Sequence, residues 1–142
     1  LNQKEKVYDK ENVREWNQAL RYVSLSSVDF GSTAAHITDD TFVFLVPPYR
    51  GSFTQYGVDF DDKLQESVIH HLNSLTAQGA HVMMSNRDVG DGFFEARAGK
   101  NKIIYFDVTY TAGRRKKNSD GTHSAKKARE ILMIGRHNGS QE

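Results

Sequence analysis

The sequence has no cysteine, no long apolar run and almost no proline, and each absence narrows what the chain can be. Without cysteine there are no disulfides and no thiolate metal ligands, which fits a reducing compartment such as the cytoplasm. No window approaches about 18 consecutive apolar residues, so no membrane-spanning helix is expected. The formal net charge is +1, so nucleic acid would have to be bound by a local basic patch rather than by an overall field.

The length and the start of the chain also set expectations. A chain of 142 residues is the size of a single domain, expected to cover residues 1–142, and it can bury a core. The first residues are polar and lack the apolar core of a secretory signal. Because the chain begins with Leu1 rather than Met, we expect a fragment or a processed piece of a longer protein.

Apolar residues at helical spacing predict three helices. Asp9 is a suitable N-cap for the first, and Gly79 is a natural stop for the second. The helices are predicted over residues 10–21, 60–78 and 93–98. Trp16 and Phe60 are interpreted as core anchors, and residues 30–40 as a loop or an irregular helix.

Apolar runs and alternation predict strands between these helices. The strands are predicted over residues 22–25, 41–45, 81–85, 102–110 and 129–136. The second is expected to be buried on both faces, residues 86–88 to form a polar turn, and residues 113–127 a long polar loop. This order predicts an α/β fold: a mostly parallel sheet with helices on both faces and a C-terminal antiparallel hairpin.

The two prolines of the chain are adjacent and follow the apolar run directly. Neither has a backbone donor, so Val46-Pro47-Pro48-Tyr49 ends the strand. Ser85-Asn86-Arg87-Asp88 ends the next predicted strand. Ligands of α/β sheets bind beyond the carboxyl ends of the strands, so both segments indicate the same edge of the sheet.

These segments resemble the DNA adenine methyltransferases of the phage and enterobacterial type. Val46-Pro47-Pro48-Tyr49 is similar to their catalytic Asp-Pro-Pro-Tyr, and Phe53-Thr54-Gln55-Tyr56 to a Phe-Thr-x-Tyr segment that follows it. Ser85-Asn86-Arg87-Asp88 is similar to their Ser-Asn-x-Asp. Arg114-Arg115, followed by polar and basic residues and then Glu130-Ile131-Leu132, resembles their closing hairpin.

The resemblance implies a fold and a set of roles. The chain corresponds to the C-terminal half of such an enzyme, a partial Rossmann-like sheet without the cofactor-binding half and its Gly-rich turn. Gly90-Asp91-Gly92 precedes a short helix and is poor support for such a turn. In the family, the Asp carboxylate and the first proline carbonyl, here that of Pro47, accept hydrogen bonds from the amino group of a flipped-out adenine, and the Tyr stacks on the base. The resemblance implies cofactor contacts, to S-adenosylmethionine, from Asp29, Phe30 and Pro48.

One departure from the family bears on activity. Val46 stands where the family has Asp, and a valine side chain accepts no hydrogen bond. The loss of a positioned acceptor costs about 2.7–4 kcal/mol of barrier, so we expect a weak or inactive enzyme.

DNA contacts are predicted for a set of basic residues, of which Arg50 lies beside Tyr49. Each could bind phosphate, and each could equally be solvated. The set comprises Arg50, Arg114, Arg115, Lys116, Lys126 and Lys127. Phe53 and Tyr56 either pack the catalytic loop or line a pocket. His70 and His71 are adjacent on a helix and point about 100° apart, so no metal site is expected.

Three functions remain open at the level of the sequence. The first is half of an adenine-specific DNA methyltransferase of a restriction-modification type, acting on double-stranded DNA. Its open edge at residues 41–45 predicts a cofactor-binding partner chain or self-association. The second is a non-catalytic DNA-binding or regulatory module, and the third is a protein that binds or degrades S-adenosylmethionine.

Overall fold

The structure is a computed structural model that describes residues 9–51, 60–110, 116–117, 123–124 and 126–137. The chain divides into two compact units, Leu1–Ser32 and Thr33–Glu142. The single domain expected from the sequence stays a prediction, and each unit is described by itself.

The N-terminal unit contains helix α1, Lys10–Ala19, which continues into a 3-10 turn, Leu20–Tyr22. Asp9 caps α1 as predicted, because its carboxylate accepts the backbone N–H of Glu11 at 3.0 Å. The prediction that Trp16 is a core anchor is wrong, since its side chain is 63% exposed. One helix and a turn offer too little surface to enclose an indole ring.

The strand predicted over residues 22–25 is also wrong. Residues 23–29 have no regular structure, and Tyr22 is 92% exposed. A strand needs a neighbour for its backbone N–H and C=O groups, and no strand in the described residues pairs with this segment. For residues 30–40, where a loop or an irregular helix was predicted, the structure has a 3-10 helix over Phe30–His36.

The strands of the second unit, in its described residues, are β1 Phe42–Leu45, β2 His81–Asp88, β3 Lys102–Tyr110, β4 Lys116–Lys117, β5 His123–Ser124 and β6 Lys126–Ile134. Four of them form one sheet in the order β1-β2-β6-β3. The two short strands, β4 and β5, pair with each other.

Strand directions follow from these pairings. β1 and β2 are parallel, whereas β6 runs antiparallel to both of its neighbours, β2 and β3. β1, β2 and β3 therefore share one direction, and β6 is inserted between β2 and β3 with the opposite one. This confirms the predicted α/β class, the parallel pairing of the two earlier strands and the antiparallel pairing of the last two.

The polar turn predicted over residues 86–88 is wrong, because β2 continues through it. Asn86 lies opposite Ile131, Arg87 opposite Glu130, and Asp88 opposite Arg129 on β6. Charges of opposite sign across the two strands compensate for the low strand propensity of these polar residues.

Helix α2, Asp62–Ala77, packs on one face of this sheet and confirms the helix predicted there. Its buried side chains contact β2, in a core that also contains Phe94 and the buried Ile131 and Met133 of β6. On the opposite face of β1, Phe42 and Phe44 are 60% and 53% exposed, so the burial of this strand on both faces is not observed. No helix in the described residues is long and apolar enough to cross a bilayer.

Candidate functional site

The segment Val46–Tyr49, here called the Pro-Pro corner, follows the last residue of β1. In the parallel register Leu45 lies beside Met84, so the corner is at the same edge of the sheet as the end of β2. The Val46 side chain is 62% exposed, and the other three residues are partly buried. The predicted convergence of the two strand ends is therefore observed.

Two buried amide side chains hold the corner from beneath. Gln65 on α2 and Asn86 on β2 are 1% and 0% exposed. Gln65 Nε2 donates to the Pro48 carbonyl at 2.6 Å, and Asn86 Nδ2 donates to Gln65 Oε1 at 2.8 Å. Asn86 Oδ1 in turn accepts the backbone N–H groups of Arg50 at 3.0 Å and Arg87 at 2.8 Å.

The Arg50 guanidinium forms a second anchor, directly after Tyr49. It donates to both carboxylate oxygens of Asp62, from Nε at 2.8 Å and from Nη2 at 2.7 Å, and to Asp91 at 2.9 Å. The guanidinium carbon, Cζ, lies 3.9 Å from the centre of the Phe93 ring. These contacts leave Arg50 only 9% exposed, so the geometry favours a structural role for its charge over a phosphate contact.

The electrostatics of this ion-pair cluster favour the charged form of each of its three groups. The hydrogen bonds that Arg50 donates to Asp62 raise the pKa of Arg50 above its ordinary value, although burial opposes the effect. The hydrogen bond from Arg50 holds the pKa of Asp62 and that of Asp91 below the ordinary range. All three groups therefore stay charged at neutral pH, and the cluster remains intact.

Another polar side chain of interest is Tyr110, the last residue of β3. Tyr110 Oη donates to Glu130 Oε1 at 2.5 Å. Burial first, and this hydrogen bond second, raise the pKa of Tyr110 to about 12. Smaller electrostatic effects act in opposite directions, Arg87 lowering this pKa and Tyr49 raising it.

The sequence reasoning missed several residues of this site. Asp62, Asp91 and Tyr110 give no local signal, because their partners are distant along the chain. Gln65 did give one: it stands at the helical spacing of Val68 and Leu72, so it is a polar residue in an otherwise apolar stripe.

The last residue of the Ser-Asn-x-Asp segment is structural. Asp88 is 5% exposed, and its carboxylate forms an ion pair with Arg129 and accepts the N–H of Gly90 at 2.8 Å. The Gly90-Asp91-Gly92 segment supplies Asp91 to the Arg50 cluster, and Gly90 and Gly92 have positive φ. This segment thus anchors the corner.

The structure describes some of the other predicted residues. Asp29 belongs to the N-terminal unit, where its carboxylate accepts the N–H of Gly31 at 2.9 Å, and Phe30 begins the 3-10 helix there. Lys127 on β6 is exposed beside Thr109. Lys116 lies in β4 and Lys126 in β6. Phe53, Tyr56, Arg114 and Arg115 lie outside the described residues.

The adjacent histidines of α2 were expected to bind no metal, and His71 has a contact within the second unit. His71 is 9% exposed, and its Nε2 lies 3.2 Å from Thr33 Oγ1, so it serves the packing of α2. In the described part of the chain, no group of three or more His, Asp or Glu side chains is arranged to hold a metal ion.

Fold and corner together describe an α/β unit with a rigid loop at the carboxyl ends of parallel strands. Over 135 residues the chain is 26% identical to the Type II methyltransferase M.MjaIII of Methanocaldococcus jannaschii. The match covers 91% of this chain and 45% of that protein, so the chain spans less than half of its relative. This likeness supports a methyltransferase-like relationship.

Two further comparisons add little. No protein-family model matches the chain. The solved structure of precorrin 8W decarboxylase from Methanobacterium thermoautotrophicum aligns with 90% of this chain and 66% of its own. The TM-score is 0.43 and the identity 12%, which is too low to indicate a shared fold.

Proposed function

We propose that this chain is the part of an amino-directed DNA methyltransferase that binds the target adenine, and that Val46 leaves it weakly active or inactive. The observation that carries the proposal is the Pro-Pro corner, held by Gln65 and Asn86 at the carboxyl end of β1. The relationship to a Type II methyltransferase supports it, since the matched region includes nearly the whole chain.

The chemistry of the corner explains why we expect it to bind adenine and yet to transfer methyl groups weakly or not at all. An exocyclic amino nitrogen becomes more nucleophilic when acceptors bind its hydrogens. The Pro47 carbonyl would accept one hydrogen, and the Tyr49 ring would stack on the flipped base. The Val46 side chain supplies no acceptor for the second hydrogen, although the backbone around it is rigid. The corner is thus better suited to holding a base than to activating one.

The Asp29 carboxylate accepts the N–H of Gly31 within the N-terminal unit, and the Pro48 carbonyl accepts Gln65 Nε2 within the second unit. We propose that another segment or chain holds most of the S-adenosylmethionine. The Asp29, Phe30 and Pro48 contacts remain proposals.

The edge of the sheet supports a partner for β1. β1 is the first strand in the sheet order, and in the described residues no strand pairs with its outer side. Its exposed Phe42 and Phe44 add apolar surface beside that edge. An open apolar edge pairs readily, so we propose that a cofactor-binding segment, or a second copy of this chain, adds a strand there. A monomer by analytical ultracentrifugation at high concentration, even with that segment present, would contradict this.

The direct test restores the acid. The chain is supplied with the part of the Methanocaldococcus enzyme that the match does not cover, and transfer of labelled methyl from S-adenosylmethionine to DNA is measured. Val46→Asp is expected to raise the rate about a hundredfold to a thousandfold, the usual worth of one positioned acceptor. Val46→Leu is the matched control and should leave the rate unchanged. If the Val46 protein is as fast as the Val46→Asp variant, the proposal is wrong.

A non-catalytic DNA-binding module is the second candidate. The retained scaffold beneath an acid-free corner favours it, because such a corner can still hold a base. Affinity for duplex DNA should then fall steeply with salt, as phosphate contacts release counterions. Absence of binding at low salt would exclude this candidate.

A further inference from the structure

Gln65 and Asn86 are unusual members of the core. Both are almost completely buried, at 1% and 0% exposure, beneath the loop that follows β1. Burying an amide costs free energy unless its donors and acceptors are hydrogen-bonded. An apolar pair of the same volume would fill this space without that cost. The amides therefore need an explanation beyond filling the core.

Their hydrogen bonds lead to the backbone of one short loop. Gln65 Nε2 binds the carbonyl of Pro48, and Asn86 Oδ1 accepts the N–H of Arg50. The two amides are joined by the 2.8 Å bond from Asn86 Nδ2 to Gln65 Oε1. Tyr49 is the one residue between these two anchored peptide groups.

This arrangement restricts the freedom of the Tyr49 backbone. The carbonyl on its N-terminal side is tied to α2, and the N–H on its C-terminal side is tied to β2. The rings of Pro47 and Pro48 fix φ at both preceding residues. The guanidinium of Arg50 is itself clamped by Asp62. The directions of the Pro47 carbonyl and the Tyr49 side chain are therefore set before any base is bound.

We propose that Gln65 and Asn86 are positioning residues for base recognition. They do not touch the base. They fix the Pro47 carbonyl and the Tyr49 ring so that the corner distinguishes a purine carrying a 6-amino group from one carrying a 6-oxo group. The inference rests on the proposed function, because it needs an adenine to be bound at the corner.

The test compares adenosine with inosine, whose 6-oxo group would face the Pro47 carbonyl and be repelled. Each nucleoside is titrated against protein carrying ¹³C-labelled tyrosine, and the Tyr49 ring signal, assigned with Tyr49→Phe, reports binding. Gln65→Met removes the donor to Pro48 and keeps the side-chain volume. The preference for adenosine should fall about threefold to tenfold, the worth of one hydrogen bond.

Thr76→Val is the matched control on the same helix. Thr76 is 5% exposed, and its Oγ1 donates to the Leu72 carbonyl at 2.8 Å, so this variant also loses a buried hydrogen bond. It should lower stability and leave the nucleoside preference unchanged. If Gln65 had a merely structural role, Gln65→Met would likewise lower stability and leave the preference for adenosine over inosine unchanged.

The outcomes separate the inference from the proposed function. The inference is supported if the wild type prefers adenosine, Gln65→Met loses that preference and Thr76→Val keeps it. Preference that persists in a folded Gln65→Met protein overturns the inference and leaves the proposed function standing. A wild-type protein that binds neither nucleoside, or both equally, overturns both.

A second variant covers the case in which Gln65→Met fails to fold. In Gln65→Glu the protonated carboxyl has one donor and one acceptor, so it can make both bonds, whereas the ionised form has no donor for Pro48. Burial raises the pKa of such a carboxyl. The adenosine preference of this variant should recover as the pH falls, while that of the wild type stays constant. A preference independent of pH in the variant overturns the inference.

Discussion

Replacing Arg50 with Met tests whether the charge beside Tyr49 serves the fold or the DNA. Met keeps the apolar stem and its packing but removes the guanidinium. The lost contacts are the two-pronged pair with Asp62, the pair with Asp91, and the stacking on Phe93 at 3.9 Å. All of them connect the corner to α2 and to the loop after β2.

The expected loss of stability in Arg50→Met depends on how exposed the partners of Arg50 are. Asp62 and Asp91 are 61% and 46% exposed, so solvent screens both ion pairs, and each is worth about 0.2–1 kcal/mol. The cation–π contact adds about 0.5–2 kcal/mol, since Arg50 itself is largely desolvated. We expect Arg50→Met to lower the free energy of unfolding by about 2 kcal/mol on these values.

Urea unfolding monitored by circular dichroism measures this loss, with Arg97→Met as the matched control. Arg97 also stacks on Phe93, at 4.0 Å, and its Nη1 donates to the Phe93 carbonyl at 3.2 Å, but among the described residues its ion pair is the longer one with Glu66 at 3.5 Å. The control should cost less than Arg50→Met, about 1 kcal/mol, because Arg97 is more exposed and its ion pair is longer. If Arg50→Met costs no more than Arg97→Met, the cluster does not anchor the corner and the reasoning fails.

Acid provides an independent check on the same cluster. The pKa of Asp62 and that of Asp91 are lowered by Arg50, so their contribution to stability is present above the ordinary value of 3.8 and is lost as the pH falls below it. The wild type should lose this contribution on acidification, and Arg50→Met should lose less.

DNA binding separates the two roles of Arg50. A phosphate contact would reduce the slope of log affinity against log salt by about one in Arg50→Met. A clamped guanidinium predicts an unchanged slope, and we expect that result.

Two further predictions concern the sheet. Tyr110 has a pKa raised from 10.0 to about 12, so it contributes stability that is complete below pH 10 and lost between pH 10 and 12; in urea unfolding from pH 9 to 12, Tyr110→Phe should flatten this decline, and an unchanged decline would contradict the role of its bond to Glu130. At Gly135 an added Cβ would lie 2.1 Å from Thr76 Oγ1, so Gly135→Ala should cost about 1–3 kcal/mol. Combining it with Thr76→Ala should recover part of that loss, and strictly additive costs would show that the clash is relieved elsewhere.

Much of the second unit could be predicted from local patterns. The period of α2 and its stop at Gly79 gave the helix, and the alternation over residues 102–110 gave β3. Failures arose where a neighbour decides the outcome. Residues 22–25 have strand-forming side chains and no pairing partner, whereas the polar residues 86–88 are drawn into β2 by β6. Propensity does not report which strand lies alongside.

The candidate site shows the same division. The Pro-Pro corner could be found from the sequence, because prolines after an apolar run define a strand end. Asp62 and Asp91 could not be connected with Arg50, since they lie 12 and 41 positions away along the chain. Gln65 can be recognised in the sequence because it interrupts an apolar stripe, but its hydrogen bond to Pro48 is known only from the fold.

The sequence by itself determined where the rigid loop stands, that it lacks an acid at Val46, and which helix follows it. These are local properties of proline, valine and helical periodicity. Only the tertiary structure decided that Gln65, Asn86 and Arg50 converge on that loop, and that β6 enters between β2 and β3. Such contacts join residues distant along the chain, and they form because packing leaves buried polar groups no other partners.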